Sequence, residues 1–340
     1  MAYQDTISAR TSLVSYWRLG ESSGDFADSE GSNTAVVSDV TYSATSLLTG
    51  NANTAATFDG VNDTAILGST SALNFSPTDQ WSVECLVKPN TPRSGSNEVN
   101  PVIGKIDAGS SSRGWEVGYR YSTTGSKCRA YITMIDTVST NYWTRYAEFD
   151  LPNASTKHIV YTSDGTGVTG LRIYIDGCEH PYATESAGTV TTTTNSVAAR
   201  IGSRHNGAFF CKGTLDEISV YSDDLTPHDA VETLAIAKGT AIDTTPLPNT
   251  TKIIVSFDAD SDVGDMGAAS VMHALAYADG IEILCVATGS NDDDVAELLD
   301  CANVFHQRPG LVVGKRSGTD PVTTRAWVAT TVAACPHNLD

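Results

Sequence analysis

The hydrophobic and polar positions in the first two thirds of the chain alternate in short runs, with the period of two that β-strands show. In residues 171–177, LRIYIDG, the side chains of Leu171, Ile173 and Ile175 fall on one face. Clusters of Gly, Asn, Asp and Ser separate such runs, as they separate the strands of β proteins. The same pattern occurs in TAILG, WSVECLVKP, GWEVGYRY, RAYITMI and HIVYTSDG. It predicts an antiparallel all-β fold for this part of the chain.

A short helix is predicted at the end of this region. Thr226 is a capping residue, Pro227 suits the first helical position, and Asp229 places an acid at the third. We expect the helix to continue to the neighbourhood of Lys238 and to close the domain. The first domain is therefore placed at residues 1–238.

Three large side chains in the predicted strands are expected in the core. Trp17 and Trp81 each begin or end an apolar strand, so we expect them to fill the interior and not to bind sugar. His158 lies within a strand and is likewise expected to be packed and not to act as a ligand.

The pattern changes after residue 250. Residues 239–250, GTAIDTTPLPNT, have two prolines and little apolar content, which predicts an extended linker. Beyond them, KIIVSF, IEILCVATG and GLVVGK are apolar runs suited to buried parallel strands, with helical stretches between them. This alternation predicts a small α/β domain of the β-α-β-α-β type at residues 251–340.

Composition and charge limit the classes of partner. The chain has 340 residues, 40% of them hydrophobic and 18% charged, enough for two cores of ordinary size. Asp and Glu number 40 against 21 Lys and Arg, a net charge of −19, which disfavours nucleic acid and anionic membranes. The N-terminus lacks a secretory signal pattern, and no stretch approaches the ~18 apolar residues of a membrane span. We therefore expect a soluble protein, made in a cytoplasm and without membrane insertion.

The seven cysteines show no C-x-x-C pair, so neither a zinc ribbon nor a disulfide-dense scaffold is supported. We expect buried thiols, and Cys178 with Cys211 is the one pairing worth testing. The cysteines are Cys85, Cys128, Cys178, Cys211, Cys285, Cys301 and Cys335.

Six stretches occur in the order seen in laminin-G-like domains of the concanavalin-A-like class: SYWRLGESSG, ATFDGVND, WSVECLVKP, HIVYTSDG, LRIYIDG and GTLDEISVYSDDLTPHDA. Residues 10–238 therefore resemble this family, which implies a jelly-roll β-sandwich. Relatives carry calcium and carbohydrate at loops on the rim, so the resemblance implies a rim site. Its candidate oxygens are those of Asn62, Asp63, Asp164 and Asp216, and turn chemistry is the alternative for each. No pair of carboxylates has glycosidase spacing.

An acidic loop follows the first strand of the second region. FDADSDVGDMGAA, residues 257–269, carries four acids, and ligands of parallel sheets bind at the carboxyl ends of strands. Clustered carboxylates suit Ca²⁺, which takes six to eight oxygens. The loop is not an EF-hand, because Val263 stands where the turn needs Gly and Ala269 where the loop needs Glu.

This loop resembles the amino-terminal signature of the nucleoside hydrolases, D-x-D-P-G-x-D-D. The resemblance implies that Asp258, Asp260 and Asp265 bind calcium, that Asp260 is also the general base, and that Asn291 contacts ribose. Gly264 stands where the family has a ribose-binding acid, and only the opening part of that fold is present. A complete coordination site is needed for hydrolysis, so the sequence favours no turnover by this chain alone.

Three functions stay open. A laminin-G-like domain that starts near the initiator Met, without a secretory signal, is similar to surface proteins of bacteriophage virions, which leave the cell by lysis. We therefore favour a non-enzymatic structural or interaction protein on the virion surface, as capsid decoration or as a tail or fibre protein. Its expected partners are other virion proteins, itself, or a cell-surface glycan. The alternatives are a calcium-dependent ribonucleoside hydrolase, perhaps completed by another chain and cytoplasmic, and a lectin-like carbohydrate-binding module.

Overall fold

The protein is described from a computed structural model, whose contacts divide the chain into two units, Met1–Thr240 and Ala241–Asp340. The two units are described separately. The residues described are 3–68, 71–90, 98–107, 112–121, 127–150, 155–179, 182–205, 207 and 209–239, with the strands 251–257, 281–288 and 312–315. Residues 240–250, where the linker is predicted, lie outside this set.

The first unit contains two helices and sixteen strands within its described residues. The helices are α1 (Tyr3–Ser8) and α2 (Pro227–Ala237), with 3-10 turns at Ser71–Leu73 and Val168–Gly170. The strands are β1 (Leu13–Trp17), β2 (Ala35–Ser38), β3 (Thr41–Thr45), β4 (Thr54–Asp59), β5 (Thr64–Leu67), β6 (Gln80–Pro89), β7 (Val99–Ile106), β8 (Gly114–Tyr121), β9 (Lys127–Thr137), β10 (Asn141–Asp150), β11 (Lys157–Asp164), β12 (Leu171–Ile175), β13 (Cys178–Glu179), β14 (Tyr182–Ala187), β15 (Arg200–Ile201) and β16 (Lys212–Tyr221).

The strands form two antiparallel sheets. Sheet A has the order β13-β12-β11-β6-β16-β4-β3, and β1 pairs with β16 as well. On the edge of β16 that faces away from β6, β4 pairs with residues 212–215 and β1 with residues 218–221. Sheet B has the order β14-β10-β9-β8-β7-β15-β5-β2. The prediction of an antiparallel all-β sandwich is therefore confirmed.

The main core lies between the inner faces of the two sheets. Trp81 stacks on Phe75 with ring centroids 5.0 Å apart, and Trp115 packs 5.0 Å from Trp81. Such aromatic pairs contribute about 0.5–1.5 kcal/mol beyond the area they bury. Trp17 and Trp81 are both fully buried in this cluster, as the sequence predicts.

The outer face of sheet A is covered by the two helices. A second apolar cluster joins α1 and α2 to β6, β11, β12 and β16. The strand β12 shows the consequence: Ile173 faces the main core, as predicted, while Tyr174 on its other face is buried in the second cluster. The start of α2 has the predicted capping box, in which the Thr226 side chain accepts from the Asp229 backbone and the Asp229 side chain accepts in return.

The described part of the second unit is a three-stranded parallel sheet. Its strands are β17 (Thr251–Phe257), β18 (Ile281–Thr288) and β19 (Val312–Lys315), in that order. The helices predicted between them lie outside the described residues, so the α/β assignment of residues 251–340 stays a prediction. Among the helices that the structure describes, none combines the length and the apolar character needed to cross a membrane.

Candidate functional site

The predicted calcium site lies outside the described residues. Asp258, Asp260 and Asp265, and the predicted ribose contact Asn291, all fall in segments that the structure leaves undescribed. Their roles stay predictions. Across the part of the chain that is described, no three His, Cys, Asp or Glu side chains are grouped as a metal site.

The predicted rim-loop oxygens are separate and have local partners. Asn62 is exposed in the turn between β4 and β5, and the buried neighbour Asp63 accepts from the Asp59 amide at 2.6 Å. Burial raises the pKa of Asp63 to about 6, and the charge of Asp59 adds to this rise. Asp164, at the end of β11, accepts from the amide and hydroxyl of Thr166 at 2.8 and 2.6 Å. These Asp63 and Asp164 contacts are turn chemistry, the alternative that the sequence left open.

The expectation that Asp216 lies on a rim loop was wrong, because this residue is fully buried within β16. Asp216 and Glu217 sit at a β-bulge in the pairing with β6, between the segments of β16 that pair with β4 and β1. Glu217 has a φ of 52°, an uncommon conformation for a residue with a side chain. The bulge therefore turns two consecutive acids into the protein.

Each buried acid is held by a different part of the chain. One oxygen of Asp216 accepts from the Leu47 amide at 2.8 Å and from the Ser46 hydroxyl at 3.2 Å. Its other oxygen, Oδ1, is buried without a hydrogen bond. Burial, followed by the charge of Glu217, raises the pKa of Asp216 to about 8.

The second acid has three donors. Glu217 accepts from the Tyr16 hydroxyl, from Arg18 at 3.3 Å and from the Asn53 amide at 3.1 Å. Because both acids are enclosed and bind their own chain, this pair fastens β16 to its surroundings.

A buried Glu–His pair fastens the helices to sheet A. His158 Nε2 lies 2.7 Å from a Glu84 oxygen, and both side chains are essentially inaccessible. The hydroxyls of Tyr3 in α1 and Tyr221 in β16 donate to Glu84, and Thr233 of α2 lies 3.3 Å from His158. Burial would raise the pKa of Glu84, but the His158 contacts outweigh it and lower that pKa. His158 is thus a packed strand residue, as predicted.

A third polar group lies on the outer face of sheet B, and the sequence analysis did not identify it. In β8, Trp115, Val117 and Tyr119 face the core, so Glu116, Gly118 and Arg120 face outward; this alternation in GWEVGYRY is the signal that could have found the group.

The carboxylate at its centre has both oxygens occupied. Arg204 donates to the two oxygens of Glu116, with Nε 2.9 Å from Oε2, and the Tyr131 hydroxyl donates to Oε1 at 2.7 Å. Glu116 is 1% exposed and Tyr131 is fully buried, so the two form a floor under the outer surface. A carboxylate fixed in this way is a poor proton donor or nucleophile and a good anchor for an arginine.

The second arginine of this face, Arg120, lies over two tyrosine rings. The Arg120 guanidinium lies over the ring of Tyr131, 5.3 Å from its centroid, and over the ring of Tyr146, 5.0 Å from its centroid. The Tyr146 hydroxyl donates to Glu185 at 3.1 Å. Burial raises the pKa of Tyr146 to about 12, so the ring stays neutral and its hydroxyl remains a donor.

Two glycines make room for this floor. A Cβ on Gly104 would lie 2.8 Å from Cγ of Glu116, and one on Gly118 would lie 2.8 Å from the Tyr131 hydroxyl. The side chains of Glu116 and Tyr131 therefore lie flat on neighbouring strands. We call Glu116, Tyr131, Tyr146, Arg120 and Arg204 the sheet B cluster.

The comparisons with known proteins give similarities of fold. No curated protein matches the sequence. Among solved structures, Trypanosoma rangeli sialidase in complex with sialic acid is 13% identical at a TM-score of 0.46, covering 68% of this chain and 37% of the sialidase. Botulinum neurotoxin type C, whose cell entry depends on two ganglioside molecules, is 13% identical at 0.47, covering 68% of this chain and 53% of the toxin.

A third structure, the binding domain of Paraclostridial Mosquitocidal Protein 1, is 14% identical at a TM-score of 0.44, covering 66% of this chain and 52% of that domain. This chain therefore spans between 37% and 53% of the length of the three proteins. At such identities the resemblance does not extend to a ligand or an activity. The comparisons give no support to the nucleoside-hydrolase resemblance of the second unit.

The family comparison is specific. The model of the Laminin_G_3 family, described as the concanavalin A-like lectin/glucanases superfamily, matches residues 59–230. That range runs from the end of β4 to α2 and includes all five residues of the sheet B cluster. It is 172 residues long (230 − 59 + 1), just over half of the 340-residue chain. With its two antiparallel sheets, the chain belongs to the laminin-G-like branch of the concanavalin A-like lectin/glucanase superfamily.

Proposed function

We propose that this protein is a non-enzymatic binding protein whose laminin-G-like unit recognises carbohydrate on the outer face of sheet B. The observation that carries the proposal is the sheet B cluster: tyrosine rings, arginines and a fixed carboxylate on one sheet face. The outer face of sheet A is packed under α1 and α2, and Glu84, Tyr3 and Tyr221 are enclosed there. Function resides in a site and not in a fold, so the cluster and not the family membership supports this choice.

Arg120 and Arg204 are the partly exposed members of the cluster, and Tyr131 and Tyr146 are buried, so the cluster suits a polar ligand that meets guanidinium groups. Sugar rings present hydroxyls at their edges, and the N–H groups of a guanidinium can donate hydrogen bonds to such hydroxyls. The hydroxyls of Tyr131 and Tyr146 are fixed by Glu116 and Glu185, so the rings keep their orientation without a ligand. Pre-organised side chains lose little conformational entropy on binding.

The test blocks the face without removing any of these contacts. Ala183 in β14 is exposed and lies directly opposite Tyr146, so its side chain shares the outer face. Ala183→Trp is expected to weaken glycan binding about tenfold or more, a loss of at least about 1.4 kcal/mol. Ser186 is exposed on the same strand but lies opposite Trp143, which packs toward the core, so Ser186→Trp is the matched control.

A glycan array first identifies a ligand for the full chain, and calorimetry then measures its affinity for the wild type and both variants. Equal weakening by the two substitutions would place the ligand elsewhere. If no glycan binds at millimolar concentration, the proposal is wrong.

The virion setting stays part of the proposal. As a capsid decoration, tail or fibre protein, the chain would use the sheet B cluster to hold a cell-surface glycan and other surfaces to hold virion proteins or further copies of itself. Fractionation of lysates from the source is the test. Recovery of the protein only in the soluble fraction, never with particles, would contradict this setting.

Calcium binding by the second unit is a separate candidate. β17 ends at Phe257 and is parallel to β18, so Asp258 directly follows the carboxyl end of a parallel strand. Asp258, Asp260 and Asp265 remain the proposed ligands, with Asn291 as the proposed ribose contact. Calorimetric titration with Ca²⁺ tests the site, using Asp260→Asn as the comparison. Incubation with inosine and calcium tests the hydrolase alternative, in which Asp260 is the base.

A further inference from the structure

One arginine of the sheet B cluster has no anionic partner among the residues that the structure describes. Of its three guanidinium nitrogens, Nε is buried without a hydrogen bond, and among the described residues no ion pair or hydrogen bond reaches the Arg120 side chain. Its contacts are the rings of Tyr131 and Tyr146. Arg120 as a whole residue is partly exposed, and its guanidinium lies over the two rings.

Arg129, the cross-strand neighbour of Arg120, makes the position of Arg120 electrostatically unfavourable when no anion is bound. In the pairing of β8 with β9, Arg120 lies directly opposite Arg129, and like charges in such pairs are destabilising. Arg129 is paired with Glu148 at 2.6 Å, and Glu148 also forms an ion pair with Lys127 at 3.6 Å. Glu148 is therefore already paired with two cations. Within the described part of the chain, no carboxylate pairs with Arg120, although the net charge of the chain is −19.

The other arginine of the cluster, Arg204, has its charge paired with a carboxylate. Arg204 donates through two nitrogens to Glu116, the paired geometry in which a guanidinium matches a carboxylate. Arg120 has the same donors and a flat stacking surface beneath it, but no described carboxylate pairs with it. Its guanidinium is fixed by the rings, so an oxyanion that approaches its edge meets donors already oriented.

We propose that Arg120 binds the oxyanion of an acidic glycan, a carboxylate or a sulfate ester, on the outer face of sheet B. This rests on the proposed function and adds the ligand class: sugars with a negative charge are bound in preference to neutral ones. Stacking on Tyr131 and Tyr146 keeps the guanidinium in place, and the bound anion offsets the repulsion between Arg120 and Arg129.

The experiment uses the full chain and pairs of oligosaccharides that differ only in charge. One pair has a sugar carboxylate or its methyl ester, and the other has a sulfated hydroxyl or the free hydroxyl. A hydrogen-bonded ion pair corresponds to about 10- to 100-fold in affinity, so the acidic member of at least one pair should bind that much more tightly. The two pairs separate carboxylate from sulfate recognition.

Two variants then test the residue. Arg120→Gln should remove the preference for the acidic member, so that the ratio of the two affinities falls about 10- to 100-fold whatever the change in affinity for the neutral member. Arg120→Lys, which keeps the charge but not the paired donors, should give an intermediate preference. Arg129→Gln is the matched control on the adjacent strand and should keep the preference, because Arg129 is already occupied by Glu148. Unfolding midpoints of all three variants establish that they fold.

The outcomes distinguish this inference from the proposed function. Equal binding of acidic and neutral members, or an unchanged preference in Arg120→Gln, overturns the role of Arg120 while glycan binding stands. Absence of any glycan binding, or preference for an acidic peptide over every glycan, overturns both. If Arg120→Gln does not fold, the salt dependence of binding by the wild type is the test. Affinity for the acidic member should fall steeply between about 50 and 500 mM NaCl, and affinity for the neutral member should not. An equal salt response of both members refutes the inference.

Discussion

Replacing Asp216 by Asn should make the protein more stable at neutral pH and should remove much of its pH dependence. The amide has the shape of the carboxyl group, and its oxygen can accept from Leu47 and Ser46 as the carboxylate does. What changes is the charge. In the native protein Asp216 is fully buried beside Glu217, and the charge of Arg18, which acts on Asp216, is already paired with Glu217 at 3.3 Å.

The magnitude follows from the pKa. Burial and the charge of Glu217 raise the pKa of Asp216 from an ordinary 3.8 to about 8. Between these values the native state holds a proton that the unfolded state has lost, so the free energy of unfolding falls as the pH rises. The difference of about four pH units, at 1.36 kcal/mol per unit, gives an upper limit of about 6 kcal/mol. Asp216→Asn should therefore match the wild type near about pH 4 and exceed it by several kcal/mol at about pH 8.

The assay is urea unfolding of the full chain at a series of pH values and constant ionic strength, followed by tryptophan fluorescence. Four of the five tryptophans, at positions 17, 81, 115 and 143, lie in the first unit, so the signal reports the sandwich. At equal slopes, the shift in midpoint gives the difference in free energy. If the curves of wild type and Asp216→Asn against pH are parallel, Asp216 does not carry the raised pKa and the reasoning is wrong.

Other substitutions test other features. Asp164→Asn should have the opposite sign: hydrogen bonds from Thr166 outweigh burial and lower the pKa of Asp164, so its contribution is present at neutral pH and is lost on acidification. Urea midpoints should therefore show the variant weaker at neutral pH and equal to the wild type in acid. Thr226→Ala removes the capping box of α2 and should cost about 1 kcal/mol in the same assay. Iodoacetamide should label Cys178 faster than Cys128, measured by peptide mass spectrometry, because burial raises the pKa of the Cys128 thiol.

Local sequence patterns were sufficient to predict individual strands and one helix. LRIYIDG and HIVYTSDG became the paired strands β12 and β11, because a period of two places one row of side chains on the core. The helix α2 begins where Thr226 and Asp229 indicate, since a cap is defined by neighbours within one turn. In contrast, α1 is six residues long and is held by distant contacts such as that of Tyr3 with Glu84, so no local pattern signals it.

The sheet B cluster could be predicted only in part. The outward row of β8 can be read from GWEVGYRY, but the contact between Glu116 and Arg204 joins residues 88 positions apart and depends on how the strands are arranged. The prediction that Asp216 lies on a rim loop was wrong for a related reason. Two consecutive acids usually mark a surface, and only the bulge and the positive φ of Glu217 bring both inside. Cys178 and Cys211, the pairing chosen for testing, do not form a disulfide, and Cys211 lies 3.5 Å from the Tyr119 hydroxyl.

The position of β16 has a consequence for the order of events during synthesis. This strand is the last of the sandwich in sequence, yet it lies between β6 on one side and β4 and β1 on the other. Sheet A cannot close until residue 221 has left the ribosome, roughly 10 to 45 s after initiation at ordinary elongation rates. During that interval the facing edges of β4 and β6 lack their partner, and such exposed edges invite pairing with other chains. The risk of pairing between chains is therefore greatest before β16 is inserted.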